Sequence, residues 1–171
     1  YHFKAKTLFE ITNNLEKLTA VSNNIAIEYQ SLNQLEKANS YFLDAIKRNK
    51  ENHISNTLLF TNISKNYLKL NDFKNAFHFL EKAKKSQSKT DAVYTLAEFY
   101  TAFANYYIKK EDQNAALPYL EKAKITCESI AYEFGLSETY FLLGRYFELN
   151  KKFTEALTYY KKAQNSANSL H

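Results

Sequence analysis

Lysine, asparagine and arginine stand at positions 65, 105 and 145, each forty residues from the next. An asparagine amide can both donate to and accept from a peptide backbone. A lysine meets a carboxylate as a point charge, and an arginine meets one with two parallel bonds. Lys65, Asn105 and Arg145 therefore form a candidate row for anchoring an extended peptide. Asn105 belongs to a polar stripe, Glu98, Thr101, Asn105 and Lys109, at steps of three and four along a segment otherwise apolar nearly all round. The matching stripes are Asn23, Ile27 and Gln30; Thr61, Lys65 and Lys69; and Glu138, Phe141, Arg145 and Glu148. Ile27 and Phe141 would add apolar contact. The candidate partner-binding set is Asn23, Ile27, Thr61, Lys65, Glu98, Thr101, Asn105, Phe141 and Arg145.

Other chemistry finds no constellation. Gly135 and Gly144 are the two glycines, too few for a phosphate-cradling loop, and Gly144 already suits a packing role. His2, His53, His78 and His171 lack metal-ligand spacing. Cys127 is alone, which excludes an internal disulfide and a multi-cysteine zinc site; near the end of a helix and without a nearby histidine it reads as a buried, inert thiol. Carboxylates scattered over helix surfaces do not make an acid–base pair. No catalytic residue, metal or cofactor is expected, and binding rather than catalysis is the expected activity. The net charge of +5 comes from lysines spread along the whole chain, without a dense basic block, so nucleic acid is not an expected partner. No segment approaches about 18 consecutive apolar residues, so no membrane span is expected.

The elements that must position these residues are helices. Two glycines and one proline in 171 residues leave little material for hairpins, and Leu, Ala, Lys, Glu and Asn fill most positions. The segments Leu80-Glu81-Lys82-Ala83-Lys84 and Leu120-Glu121-Lys122-Ala123-Lys124 are identical and forty residues apart, and Tyr160-Lys161-Lys162-Ala163-Gln164 follows after another forty. Each contains the end of a small-large-small trio at offsets of four and seven: Ala76, Leu80, Ala83; Ala116, Leu120, Ala123; Ala156, Tyr160, Ala163. Ala38, Phe42 and Ala45 make a fourth trio. Those offsets share one helical face, and two alanines beside one large residue let a second helix approach closely. Nine residues ahead of each trio stands an aromatic, Tyr29, Tyr67, Tyr107 or Phe147, and three before that a small residue, Ala26, Ser64, Ala104 or Gly144. Between aromatic and trio lie Asn33-Gln34, Asn71-Asp72, Glu111-Asp112 and Asn150-Lys151, which read as tight turns with helix caps. Each unit is thus a helix pair. Pro118 is harmless if its helix starts near Asn114, whereas a start at Asp112 predicts a kink.

These residues resemble the tetratricopeptide repeat. Its pattern of a large residue, Leu-Gly, Tyr, and later Ala, an aromatic, Ala is matched best by Tyr140, Leu143-Gly144, Phe147, Phe153, Ala156, Tyr160 and Ala163. The resemblance implies an all-α, right-handed α-solenoid of antiparallel helix pairs, with the first helix of each pair lining a concave groove that takes a protein or peptide. The trio-to-trio steps of 38, 40 and 40 residues exceed the family's usual 34 or so, which predicts helices longer by up to about one 3.6-residue turn. Such extended units resemble those of bacterial sensor and regulator proteins, including peptide-pheromone receptors and sensor kinases. Family members that bind chaperone tails use a carboxylate clamp of Lys, Asn and Arg; the leading positions here carry Asn23 and Ile27 and depart from that set.

The expected organisation is one domain over residues 1–171. It holds four repeats at 19–56, 57–96, 97–136 and 137–171, preceded by residues 1–14 as the second helix of a truncated repeat, on the spacing of Ala5, Phe9 and Thr12. The expected function is a non-catalytic protein- or peptide-binding scaffold. The alternative is the sensory or oligomerising region of a larger bacterial signalling protein, in keeping with a chain that starts without methionine. A cytoplasmic setting is favoured, and self-association through terminal repeats is possible on the apolar surface that half-formed repeats expose.

Overall fold

A computed structural model describes Lys4, Thr7, Phe9, residues 14–49 and residues 54–169. The expected half repeat at residues 1–14 lies almost wholly outside the described residues. Eight helices occupy the two continuous stretches: α1 Leu15–Ser31, α2 Leu35–Arg48, α3 Asn56–Lys69, α4 Phe73–Ser86, α5 Val93–Lys109, α6 Gln113–Ser129, α7 Glu133–Leu149 and α8 Phe153–Asn168. Among the described residues there is no strand, as the composition predicts. The chain divides into two compact units, one ending at Lys89 and the other starting at Thr90. In the first, α1 packs on α2, α3 on α4 and α2 on α3; in the second, α5 packs on α6, α7 on α8, and α7 lies against both α5 and α6.

The four helix pairs begin at Leu15, Asn56, Val93 and Glu133, ahead of the expected 19, 57, 97 and 137. The long repeat is also built differently from the expected uniform lengthening. In the first two repeats the second helices have 14 residues and end at Arg48 and Ser86, well before the next pairs begin at Asn56 and Val93. In the third, α6 runs for 17 residues and reaches α7 through a three-residue turn.

That turn and the four within the pairs share one construction. Asn33, Asn71, Glu111, Ala131 and Lys151 adopt left-handed φ of 48° to 58°. The next amide then bonds back to the carbonyl five residues earlier, Gln34 to Tyr29, Asp72 to Tyr67, Asp112 to Tyr107, Tyr132 to Cys127 and Lys152 to Phe147, at 2.8–3.0 Å. These bonds satisfy carbonyls that a helix end leaves without partners. The following helix is capped by Asp72, which accepts from the Asn75 amide, and by Asp112, which accepts from Ala115, both at 3.0 Å. Pro118 therefore lies well inside α6, and the helix continues past it to Ser129. The one bond it cannot make would go to the carbonyl of Asn114, an exposed residue that water can reach.

The small-large-small trios form the packing surface. All members of the first three are fully buried; Tyr160 in the fourth stays partly exposed. The small residue of the first helix faces them: Ala26, Ser64 and Ala104 are fully buried, the Ser64 hydroxyl donates to the Ala76 carbonyl at 2.9 Å, and Gly144 lies so close to the Tyr160 ring that a Cβ there would collide with it.

Each pair is also pinned by aromatic rings twelve residues apart. Tyr29 stacks on Tyr41, Tyr67 on Phe79, Tyr107 on Tyr119 and Phe147 on Tyr159, with centroids 5.3–5.8 Å apart and planes within 7–23°. Such a pair adds about 0.5–1.5 kcal/mol beyond its burial. The lysines that precede the closing alanine of the last three trios are not merely solvated. Lys82, Lys122 and Lys162 place their ammonium groups 5.6–5.7 Å from the rings of Phe60, Tyr100 and Tyr140 on the partner helix, a recurring cation–π contact.

Candidate functional site

The polar stripe of the first helices is only partly open. On α3, Thr61 is fully buried and its hydroxyl donates to the Thr57 carbonyl at 2.7 Å. On α5, Thr101 is buried, donates to the Ala97 carbonyl at 2.9 Å and lies 3.3 Å from the Thr139 hydroxyl of α7. Glu98 is 4% exposed and accepts a 2.7 Å hydrogen bond from the Tyr132 hydroxyl. The expectation that these three present themselves to a partner is therefore corrected. On α5 the cover is helix α7, which lies against the N-terminal half of that stripe, something helical spacing on one segment cannot reveal. Burial and the adjacent Glu98 carboxylate push the Tyr132 hydroxyl far above its ordinary value, so it stays protonated and keeps donating.

The second half of each stripe stays accessible. Ile27 on α1 is 46% exposed, Lys65 on α3 and Asn105 on α5 are half-buried, and Arg145 on α7 is exposed. Asn105 and Arg145 sit on neighbouring helices of the second unit, while Lys65 belongs to the first. Asn23 is half-buried; its Oδ1 is shut off from solvent and takes no hydrogen bond, and its amide reaches only Asn24 Oδ1 at 3.5 Å. Phe141 is 53% exposed, its ring 5.6 Å from that of Tyr160.

Two polar arrangements were not legible beforehand. Arg145 Nη1 pairs with Glu148 Oε2 at 2.9 Å, and the Tyr160 hydroxyl donates to the same oxygen at 2.7 Å. That bond, with the guanidinium, lowers the acidity range of Glu148 below the ordinary carboxylate value. The signal was present in the substitution of tyrosine for Phe42, Leu80 and Leu120 at the centre of the last trio. In the first unit, Gln30 on α1 donates to Asn66 Oδ1 at 2.7 Å, and Asn66 on α3 donates to Asn39 Oδ1 on α2 at 2.8 Å. Asn66 and Asn39 are buried, so this amide chain satisfies three helices at once.

No group in the stripe is arranged as an acid–base pair or nucleophile. Cys127 is fully buried, and burial raises its thiol to about 11, which keeps it protonated and unreactive. What remains accessible is a set of amide, ammonium, guanidinium and apolar contacts on α1, α3, α5 and α7. No helix among the described residues is long and apolar enough to cross a membrane.

Comparison with curated protein sequences finds no relative of this chain. Solved structures do match. The crystal structure of BtubC (BKLC) from P. vanneervenii superposes with a TM-score of 0.70 at 18% identity, over 92% of this chain and 66% of that one. This chain therefore spans just under two thirds of BtubC. MamA matches with a TM-score of 0.61 at 17% identity, over 96% of this chain and 85% of its own. YrrB, described as a TPR protein with an unusual peptide-binding site, matches at 0.51 and 18% identity, over 95% and 92%. At these identities the likeness is one of fold. The model of the tetratricopeptide repeat matches residues 20–52, 59–90, 97–124 and 137–169, one match on each of the four helix pairs. With trios, turns and stacked rings repeating in step with those matches, this chain belongs to the tetratricopeptide repeat family, whose helix pairs serve as a scaffold for protein–protein interaction.

Proposed function

We propose that the chain holds a protein or peptide partner, without catalysis, through the accessible half of its first helices. Lys65, Asn105 and Arg145 supply the polar contacts, and Ile27 and Phe141 the apolar ones. One observation carries this reading: the position occupied by Ile27, Lys65, Asn105 and Arg145 keeps solvent access in all four repeats, although the position four residues earlier is buried in the two middle ones. A repeated accessible position bearing donors suits an extended chain better than a compact small molecule. YrrB, a protein of the same fold, is described as having a peptide-binding site, which supports the ligand class. Glu98, Thr61 and Thr101 are left out of the contact set because they are buried.

The test is capture of partners from source-cell lysate by the wild-type chain and by the triple variant Lys65→Ala, Asn105→Ala, Arg145→Ala, with far-UV circular dichroism confirming that the variant is folded. A partner held by the wild type and lost by the folded variant supports the reading. Equal capture by both, or by neither, sinks it.

A second reading, a sensory or oligomerising region of a larger signalling protein, draws support from exposed apolar side chains of the second unit, Phe153 at 68% and Leu157 at 55% among them. Sedimentation equilibrium discriminates: a monomer at high micromolar concentration removes the oligomerising role.

A further inference from the structure

The second helices of the second unit border a cleft of about 340 Å³ in which neither Asn105 nor Arg145 takes part. Its walls are Leu117, Leu120 and Lys124 of α6, Leu143 and Phe147 of α7, and Tyr159 of α8. The internal repeat explains why it is open. Two repeats back, by the trio steps of 38 and 40 residues, Leu120 corresponds to Phe42, and by two steps of 40, Leu143, Phe147 and Tyr159 correspond to Ile63, Tyr67 and Phe79 of the first unit. There the same four positions form one apolar cluster, and Ile46 packs against it. Lys124 stands where Ile46 stands. A lysine can cover the apolar floor with its stem, but its ammonium group stays at the water boundary, so the space an isoleucine would fill is left between aliphatic and aromatic walls.

Lys124 is half-buried and, among the described residues, has no ion-pair or hydrogen-bond partner. The nearest competing charge in the lining is Glu121, one turn earlier on α6 and exposed to water. An apolar space with one unpaired, partly desolvated cation at its edge selects a molecule with an aliphatic body and a single negative charge. We propose that this cleft binds a small aliphatic monocarboxylate, the hydrocarbon lying on Leu120, Leu143, Phe147 and Tyr159 and the carboxylate on Lys124 Nζ. The site is separate from the stripe of the first helices, and its occupancy does not depend on a peptide being held there.

The test uses sodium octanoate, octanol and octylammonium chloride, titrated into the whole ¹⁵N-labelled chain and followed by amide chemical shifts. Octanoate is expected to shift the amides of Leu117, Ile125, Leu143 and Phe147 saturably, with octanol weaker and octylammonium weakest. Lys124→Gln, which leaves the space open, should weaken octanoate about tenfold, the loss of roughly one charge-assisted contact. Lys124→Ile, which restores the filling seen with Ile46, should abolish binding while raising the thermal midpoint. Glu121→Gln should tighten octanoate by removing the competing charge. Absence of saturable shifts at these amides, octylammonium binding as well as octanoate, or undiminished binding to Lys124→Gln overturns the proposal. Loss of binding in Lys124→Ile counts only if that variant keeps the wild-type circular dichroism; Lys124→Gln decides the matter independently.

Discussion

The hydroxyl of Tyr160 donates to Glu148 Oε2 at 2.7 Å, tying the second helix of the last repeat to the first. The ring beneath that hydroxyl fills the space over Gly144, so one side chain serves both as packing and as a hydrogen-bond donor. Tyr160→Phe keeps the ring and removes the donor. The expected cost is about 0.5–1.5 kcal/mol, read from urea unfolding at neutral pH. Glu148 is bound by Tyr160 and Arg145 and titrates below its ordinary 4.5. Its contribution is thus complete above that value and is lost as pH falls through the lower, folded value. As pH falls through and below the ordinary carboxylate range, the wild type should lose more stability than Tyr160→Phe; equal losses would show that this bond does not set the titration.

Gly144 has no room for a side chain, because a Cβ would enter the Tyr160 ring. Gly144→Ala should therefore destabilise by about 1–3 kcal/mol despite the better helix propensity of alanine. The same penalty applies to Ala123→Leu at a fully buried trio position. Lys161→Ala, on the exposed side of α8, should stay within about 0.5 kcal/mol. Equal thermal shifts for the buried and exposed substitutions would contradict the assignment of inner and outer faces.

Glu111 and Lys151 hold left-handed backbone at φ of 56° and 57°. A residue with a Cβ pays roughly 1–2 kcal/mol for that conformation, and glycine does not, although it loses more chain entropy on folding. Glu111→Gly and Lys151→Gly should each raise stability by about 0.5–1 kcal/mol and add when combined, since they cap different helices. Differential scanning calorimetry of the single and double variants checks this; a lowered midpoint would contradict the turn geometry.

Asn66 is fully buried between Gln30 and Asn39. Asn66→Leu removes both bonds and strands the Asn39 carbonyl oxygen in the interior, an expected loss of about 2–4 kcal/mol from two unsatisfied groups. Adding Asn39→Leu removes one stranded group, so the double variant should be less destabilised than the sum of the singles. A double-mutant cycle by chemical denaturation measures the coupling, and strict additivity would show that the amide chain is not a unit.

The repeat, its four helix pairs and the residues of each packing face follow from the sequence alone. The same side-chain volumes recur at the same offsets, and a helix of 3.6 residues per turn turns those offsets into one face. The turns were legible as polar breaks for a similar local reason. Their left-handed residues were not, because Glu111, Ala131 and Lys151 are not types that favour that conformation, and the five-residue-back bonds that hold them exist only once the helices do. Tertiary structure alone decided which half of the polar stripe faces water. Thr61, Glu98 and Thr101 look as polar in the sequence as Asn105 and Arg145. For Glu98 and Thr101 the burial depends on the next repeat, where Thr139 meets Thr101 and Tyr132 satisfies Glu98 well enough to hold a carboxylate out of water. The cleft beside Lys124 is likewise a property of assembly. An unpaired amine over an apolar floor appears only when Leu120, Leu143, Phe147 and Tyr159, from three different helices, are brought to one place.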